Sequence, residues 1–152
     1  MRDSELFWGK FVACSVATLF MVSFTVLYPI LLYGVQPFDW TIAIAGYAGL
    51  VLISLAFIAC GLFISSLTDN LGVAGLSALG ISLLFWILSW NDGATNQGVL
   101  RWLAQVSMVT HFQSFAQGFI DSKEITFFIV FIAFFSFLTL RSLEARQWRG
   151  RK

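Results

Sequence analysis

Residues 40–68 read WTIAIAGYAGLVLISLAFIACGLFISSLT and contain no charged side chain. The hydrocarbon core of a bilayer is about 30 Å thick, so a helix needs roughly 20 mainly apolar residues to cross it. Similar uncharged stretches cover residues 11–38 and 71–91, and a shorter one at residues 125–140 has a basic residue just outside each end. Long basic side chains at the ends of such a helix reach the interface, so the fourth stretch also qualifies as a span.

The sequence therefore predicts an all-α fold, a polytopic membrane helix bundle with four transmembrane helices. Of its residues 59% are hydrophobic and 11% are charged, whereas a soluble domain averages about 25% charged residues. We expect a single transmembrane domain with membrane lipid around it and no nucleic-acid partner. The predicted spans within residues 1–152 are 11–33, 41–67, 71–90 and 124–141, followed by a basic tail at 141–152.

The distribution of basic residues predicts the orientation, because Lys and Arg near span ends are retained in the cytoplasm. Two of the nine basic residues, Arg2 and Lys10, precede the first span, and five follow the last. An even number of spans also places both termini on the same side. We expect a multi-pass protein of the bacterial inner membrane with both termini in the cytoplasm.

Two features inside the spans predict local geometry. Pro29 has no backbone N–H and leaves the carbonyl of Thr25 unpaired, so a kink is expected near Thr25. Ala45 and Gly49 in the second span form an i, i+4 pair of small residues, which allows a neighbouring helix to approach closely. That neighbour is another helix of the bundle or, alternatively, a helix of a second subunit.

The segment between the last two spans is too apolar for a plain solvated linker. Residues 97–120 are predicted to form two short amphipathic helices, a re-entrant or interfacial helical hairpin on the outer face. Gly118 lets the chain leave the second helix before Asp121. We expect this hairpin to pack onto the outer ends of the bundle. The apolar side of its second helix is Met108, Phe112, Phe115 and Phe119.

The predicted spans contain no acidic, basic or histidine relay of the kind that ion-driven transporters use. No catalytic constellation or phosphate-binding Gly-rich loop is recognisable in the sequence. The single His111 falls in the hairpin, where it lines a substrate exit or, alternatively, makes a structural hydrogen bond. We expect no enzyme activity and no bound cofactor, so a separate subunit must supply the energy for any uphill movement.

Four segments carry a resemblance to a known family. They are SELFWGKF at residues 4–11, GLFISSLTDN at 61–70, HFQSFAQGFID at 111–121 and RSLEARQW at 141–148. In these segments the chain resembles the permease subunit of type-2 ABC exporters, particularly the branch that includes gliding-motility-associated permeases.

The resemblance implies a six-helix permease that dimerises and is driven by a cytoplasmic ABC ATPase, with ATP bound by that partner. Family members carry two further spans and an amphipathic helix before the segment that matches Gly9 and Lys10. The chain is then a fragment, a split subunit whose partner supplies the missing spans, or a natural four-span form.

Candidate ATPase contacts lie at two places in the sequence. Gly9 and Lys10 precede the first span, and Ser66, Asp69 and Asn70 lie at the turn between the second and third spans. Alternatively, Lys10 is an interfacial anchor, and Asp69 or Asn70 is the N-cap of the third span.

The candidate residues of the hairpin are His111, Phe112, Phe115, Gly118 and Asp121. A second class of function stays open, a non-transporting structural or assembly protein, or a truncated permease remnant. The uncharged stretches of the spans show no ligand-binding pattern, so the substrate class stays open.

Overall fold

The computed structural model describes residues 3–33, 39–68, 70–90 and 108–149. These residues are almost entirely helical and include no strand, which confirms the all-α prediction. The first helix of the predicted hairpin, at residues 97–106, lies outside the described residues. The helices are α1 (Asp3–Thr25), α2 (Leu27–Tyr33), α3 (Trp40–Leu67), α4 (Leu71–Trp90), α5 (Met108–Ala116) and α6 (Ser122–Arg149).

Three helical segments are long and apolar enough to cross a membrane. They are Glu5–Leu31, which joins α1 to α2, Trp40–Leu67, and Ser122–Ala145, with 27, 28 and 24 residues. The apolar part of α4, Leu71–Ile87, is shorter. Segments of this length and composition support the prediction of a membrane protein.

Helix α3 lies at the centre of the bundle and contacts α1, α4, α5 and α6. Small side chains on α3 let these neighbours approach its backbone, as expected for packed membrane helices. Ala45 and Gly49 are buried within this one chain, so their small side chains serve internal packing rather than a seam between subunits. The other small buried residues of α3 are Ala56, Ala59, Cys60 and Ser66.

Side-chain pairs define the helix directions. Thr25 near the end of α1 lies beside Tyr47 in the first half of α3, so these two helices are antiparallel. The rings of Phe63 and Phe135 are 5.7 Å apart, and further along α6 the Ser142 hydroxyl bonds to α3, so α3 and α6 are parallel. The start of α1 and the end of α6 therefore lie at the same end of the bundle.

The turn between α3 and α4 is also at that end. The Asn70 side-chain oxygen accepts a hydrogen bond from the backbone N–H of Gly72 at 3.0 Å, and its carbonyl accepts one from Ala74 at 2.9 Å. This bonding confirms Asn70 as the N-cap of α4. Asp69 lies outside the described residues.

Candidate functional site

Helix α5 packs against α3 and α6 in the bundle. Its described part, Met108–Ala116, has nine residues and is about 13 Å long at 1.5 Å per residue. Gly118, after its end, lies against Ile42 near the start of α3, while Phe115 lies against Gly49. Helix α5 therefore runs antiparallel to α3, and its first residue lies deepest.

The depth of α5 corrects the expected position of the hairpin. Met108 belongs to the same fully buried cluster as Ala56, Phe115 and Phe128. Ala56 lies about 24 Å along α3 from Trp40 at 1.5 Å per residue, past the midpoint of that helix. Helix α5 thus lies alongside α3 and α6 within the bundle, deeper than the predicted packing onto the ends of the bundle.

Gly49 allows this penetration. A Cβ atom placed on Gly49 would lie 2.5 Å from Cβ and 2.8 Å from Cγ of Phe115, so the ring packs directly on the α3 backbone. Phe115 has no exposed surface. Phe112, on the same predicted apolar side, is only half-buried, and Phe119 is 68% exposed, so the three rings do not share one environment.

The exit from α5 is a Schellman motif. Gly118 has φ = +86°, a conformation that glycine adopts without steric cost. Its N–H bonds to the carbonyl of Phe115 at 3.0 Å, and the N–H of Phe119 bonds to that of Ser114 at 3.0 Å. This geometry confirms that the chain leaves the helix at Gly118.

Asp121 begins the next helix. Its carboxylate accepts a hydrogen bond from the N–H of Lys123 at 3.2 Å, and its carbonyl accepts bonds from Glu124 at 3.1 Å and Ile125 at 3.3 Å. Asp121 is therefore the N-cap of α6, which aligns the first turn of α6 beside α5.

A hydrogen-bonded pair joins these two helices. Nδ1 of His111 on α5 contacts Oε2 of Glu124 in the first turn of α6, and the side chains are 22% and 17% exposed. The imidazole also stacks on Phe127, with ring centroids 3.9 Å apart and an angle of 24°. The expected structural hydrogen bond of His111 is thus present, and Glu124 is its partner.

Sequence reasoning did not include Glu124 among the candidate residues, although a signal was available. His111 lies seven residues before Gly118 and Glu124 six residues after it. In an antiparallel helical hairpin that turns at Gly118, residues nearly equidistant from the turn face each other. The two residues are 13 apart in the sequence, so their pairing becomes evident only when the turn at Gly118 is taken into account.

The predicted break in the first helix is confirmed. Helix α1 ends at Thr25 and α2 begins at Leu27, four and two residues before Pro29. The Tyr47 hydroxyl on α3 donates a hydrogen bond of 2.8 Å to the Thr25 carbonyl, the group that Pro29 leaves without its helical donor. A side chain of the central helix thereby stabilises the kink.

An open groove of about 280 Å³ lies between this kink, α3 and α5. Thr25 and Tyr47, which bond to each other, form its polar part. The remaining walls are apolar and come from all three elements, namely Pro29, Ala43, Gly46, Leu50, Phe112 and Ala116.

The predicted ATPase contacts fall at the opposite end of α3. Gly9 and Lys10 are exposed on α1, and Asn70 is exposed at the turn. Ser66 is buried, and its hydroxyl bonds at 2.6 Å to the Phe63 carbonyl of its own helix. The structure thus brings Lys10 and Asn70 to one end of the bundle, while Ser66 points into it.

Among the described residues no group of three or more His, Cys, Asp and Glu side chains is placed to hold a metal ion. His111 and Glu124 form a pair rather than a cluster.

Comparison with family models, curated proteins and solved structures finds no match for the chain.

Proposed function

We propose that the chain is a transmembrane permease component of an ATP-driven ABC exporter, forming part of the translocation path. The observation that carries the proposal is the position of α5, which places Met108 and Phe115 in the buried core and borders one groove together with the broken α1–α2 helix. Short and broken helices at membrane depth are tolerated where protein buries them or where they line a cavity. In transporters such elements form the substrate site, whereas a simple anchor needs only regular spans.

The proposed permease has four spans. Helix α4 is the third of them along the chain and adds to the three long apolar segments. Helix α4 has 20 residues and is about 30 Å long at 1.5 Å per residue, the thickness of a bilayer core. The excess of basic residues at the end shared by Lys10 and Arg149 supports a cytoplasmic location for both termini in a bacterial inner membrane.

A partner ATPase supplies the energy in this proposal. Residues 40–68 and 71–90 contain no ionisable relay, and the paired His111 and Glu124 are bonded to each other. The resemblance to type-2 exporters supports an ATPase docked at the cytoplasmic end. Lys10 and Asn70 are exposed there, and a second permease copy or a split partner supplies the remaining spans.

Co-purification tests the energy supply. A tagged chain in its native membrane should recover a cytoplasmic ATPase, and Lys10→Glu combined with Asp69→Lys should weaken that recovery. Lys123→Glu is the matched control, because Lys123 is exposed at the opposite end of the bundle. If the unaltered chain recovers no ATPase, the export proposal is wrong and a non-transporting assembly role is favoured.

Thiol labelling tests the orientation. In a background without Cys14 and Cys60, a cysteine at Asn96 should react with an impermeant reagent in intact cells. A cysteine at Gln147 should react only after lysis. The reverse pattern would contradict the proposed topology.

A further inference from the structure

Positive charge is concentrated at the end of α6, directly after a membrane span. Residues 141–152 contain five basic side chains and one acidic side chain, a net formal charge of +4. The basic residues are Arg141, Arg146, Arg149, Arg151 and Lys152. Basic residues at span ends set the orientation of a membrane protein, but a cluster of about four to eight beside a span also attracts anionic lipid headgroups. Arg141 is the member of this cluster that lies nearest to the membrane.

The length of the span places Arg141 at the level of the lipid headgroups. The uncharged part of α6 before it, residues 125–140, rises about 24 Å at 1.5 Å per residue. This is shorter than the hydrocarbon core of a bilayer, which is about 30 Å thick. A span that is shorter than the core brings its flanking charged side chains to the interface. The guanidinium of Arg141 is therefore within reach of lipid phosphates.

The side chain of Arg141 lies on the lipid-facing side of α6. Its Cζ atom is 5.3 Å from the centroid of the Phe137 ring, and Phe137 is 55% exposed. A different side of the helix faces the bundle, because Thr139 is buried and the Ser142 hydroxyl bonds to the Ser66 carbonyl of α3. Arg141 thus stacks on a ring that faces away from the bundle, where a membrane helix meets lipid.

Glu144 uses only part of the Arg141 guanidinium. Nη1 of Arg141 donates one hydrogen bond of 3.1 Å to Oε2 of Glu144, and the two side chains are 66% and 58% exposed. Among the described residues the guanidinium makes no second hydrogen bond, so its other N–H groups can bind a further acceptor. A phosphate accepts two parallel hydrogen bonds from one guanidinium, whereas an exposed pair with a single contact is weak.

We propose that Arg141, together with the basic residues that follow it, binds the phosphate group of an anionic lipid. The phosphate belongs to a lipid rather than to a soluble anion, because the guanidinium lies against Phe137 at the edge of the hydrocarbon core. The lipid-facing position of Phe137 also favours a lipid over an acidic protein surface. This proposal goes beyond export, since it applies equally to a permease and to an assembly protein.

Titration of the purified full chain with lipid tests the proposal. The chain in a mild detergent receives phosphatidylglycerol or phosphatidylcholine, and native mass spectrometry gives the Kd of the first bound lipid. Phosphatidylglycerol should bind more tightly than phosphatidylcholine. Arg141→Gln should weaken phosphatidylglycerol binding about fivefold, equal to about 1 kcal/mol for one basic residue near a charged surface, and leave phosphatidylcholine binding unchanged. Lys123→Gln is the matched control, because Lys123 is an exposed basic residue at the other end of the same helix.

A second variant separates lipid binding from a structural role of the ion pair. Glu144→Gln breaks the same pair as Arg141→Gln, but it releases the guanidinium and removes the acidic charge. Phosphatidylglycerol binding should therefore become tighter in Glu144→Gln and weaker in Arg141→Gln. If the pair only stabilised the end of the helix, both variants would change lipid binding in the same direction.

Four results would overturn the proposal. Equal Kd values for the two lipids would mean that headgroup charge is not recognised. Equal weakening by Arg141→Gln and Lys123→Gln would indicate attraction to the whole protein instead of a site. Displacement of phosphatidylglycerol by inorganic phosphate, but not by chloride at the same ionic strength, would identify a site for a soluble anion. Reduced recovery of the ATPase by Arg141→Gln, with an unchanged Kd for lipid, would identify a contact with a protein partner.

Discussion

Gly46 and Gly49 lie about one turn apart on α3 and have opposite surroundings. A Cβ atom on Gly49 would lie 2.5 Å from the Cβ of Phe115, whereas a Cβ atom on Gly46 would have no neighbour within 4 Å among the described residues. Gly49 lets α5 approach, and Gly46 forms part of the wall of an open groove. Small residues in a helix sequence thus permit close approach of a neighbouring helix, but the sequence alone does not show which of them a neighbour contacts.

The largest effect is expected for Gly49→Ala. The added methyl group overlaps the Cβ atom of Phe115. Rotation of the Phe115 side chain does not move its Cβ atom, so only a shift of the helix backbones can relieve the overlap. Overpacking of this kind costs about 1–3 kcal/mol or more. The thermal midpoint in lipid nanodiscs should fall clearly, and protease accessibility of residues 91–124 should rise. An unchanged midpoint would mean that α5 does not pack on Gly49.

The next effect concerns the pair that holds α5 against α6. Leaving a buried hydrogen-bonding group without its partner costs about 1–3 kcal/mol. Because His111 and Glu124 are partly exposed, removing one of them should cost about 1–2 kcal/mol. A double-mutant cycle with His111→Ala and Glu124→Ala should give a coupling free energy of about 1–2 kcal/mol. His111→Gln should be milder, because the amide can still donate to the carboxylate.

An exposed pair supplies the control for that cycle. Arg141 and Glu144 are spaced i, i+3 with a distance of 3.1 Å between Nη1 and Oε2, and both side chains are more than half exposed. Their coupling should be only about 0.2–0.5 kcal/mol. Equal coupling in the two cycles would show that the partial burial of His111 and Glu124 does not strengthen their interaction.

A smaller effect is expected at the kink. Tyr47→Phe removes the donor to the Thr25 carbonyl, and an unsatisfied buried acceptor costs about 1–3 kcal/mol, with the lower end expected at this partly exposed site. Pro29→Ala restores a backbone N–H four residues after Thr25, so Tyr47→Phe should have little effect on the thermal midpoint in that background. If Tyr47→Phe lowers the thermal midpoint equally in both backgrounds, the Tyr47 hydroxyl does not stabilise the kink through the Thr25 carbonyl.

The smallest effect is expected for Gly46→Ala. The methyl group meets none of the described residues within 4 Å, and alanine has a higher helix propensity than glycine by about 1 kcal/mol. The thermal midpoint should stay the same or rise slightly. A fall comparable to that of Gly49→Ala would show that the groove is filled by protein.

Some features follow from the sequence because they depend on neighbours in the chain. The uncharged stretch at residues 40–68 predicted α3 almost to its ends, Pro29 predicted the break after Thr25, and Gly118 predicted the exit from α5. Asn70 was one of two predicted caps, and its side chain bonds as expected. Apolar length, a missing N–H and a positive φ act within a few residues, so local sequence is sufficient.

Other features were decided only by the tertiary structure. The depth of α5, the closure of Gly49 by Phe115 and the bond from Tyr47 to Thr25 join residues that are far apart in the sequence. Each depends on the register between helices, and many registers bury similar apolar area. The selected register is the one in which a ring meets a glycine, a hydroxyl meets an unpaired carbonyl and His111 meets Glu124, because short-range packing and hydrogen bonding distinguish arrangements that hydrophobicity alone leaves equivalent.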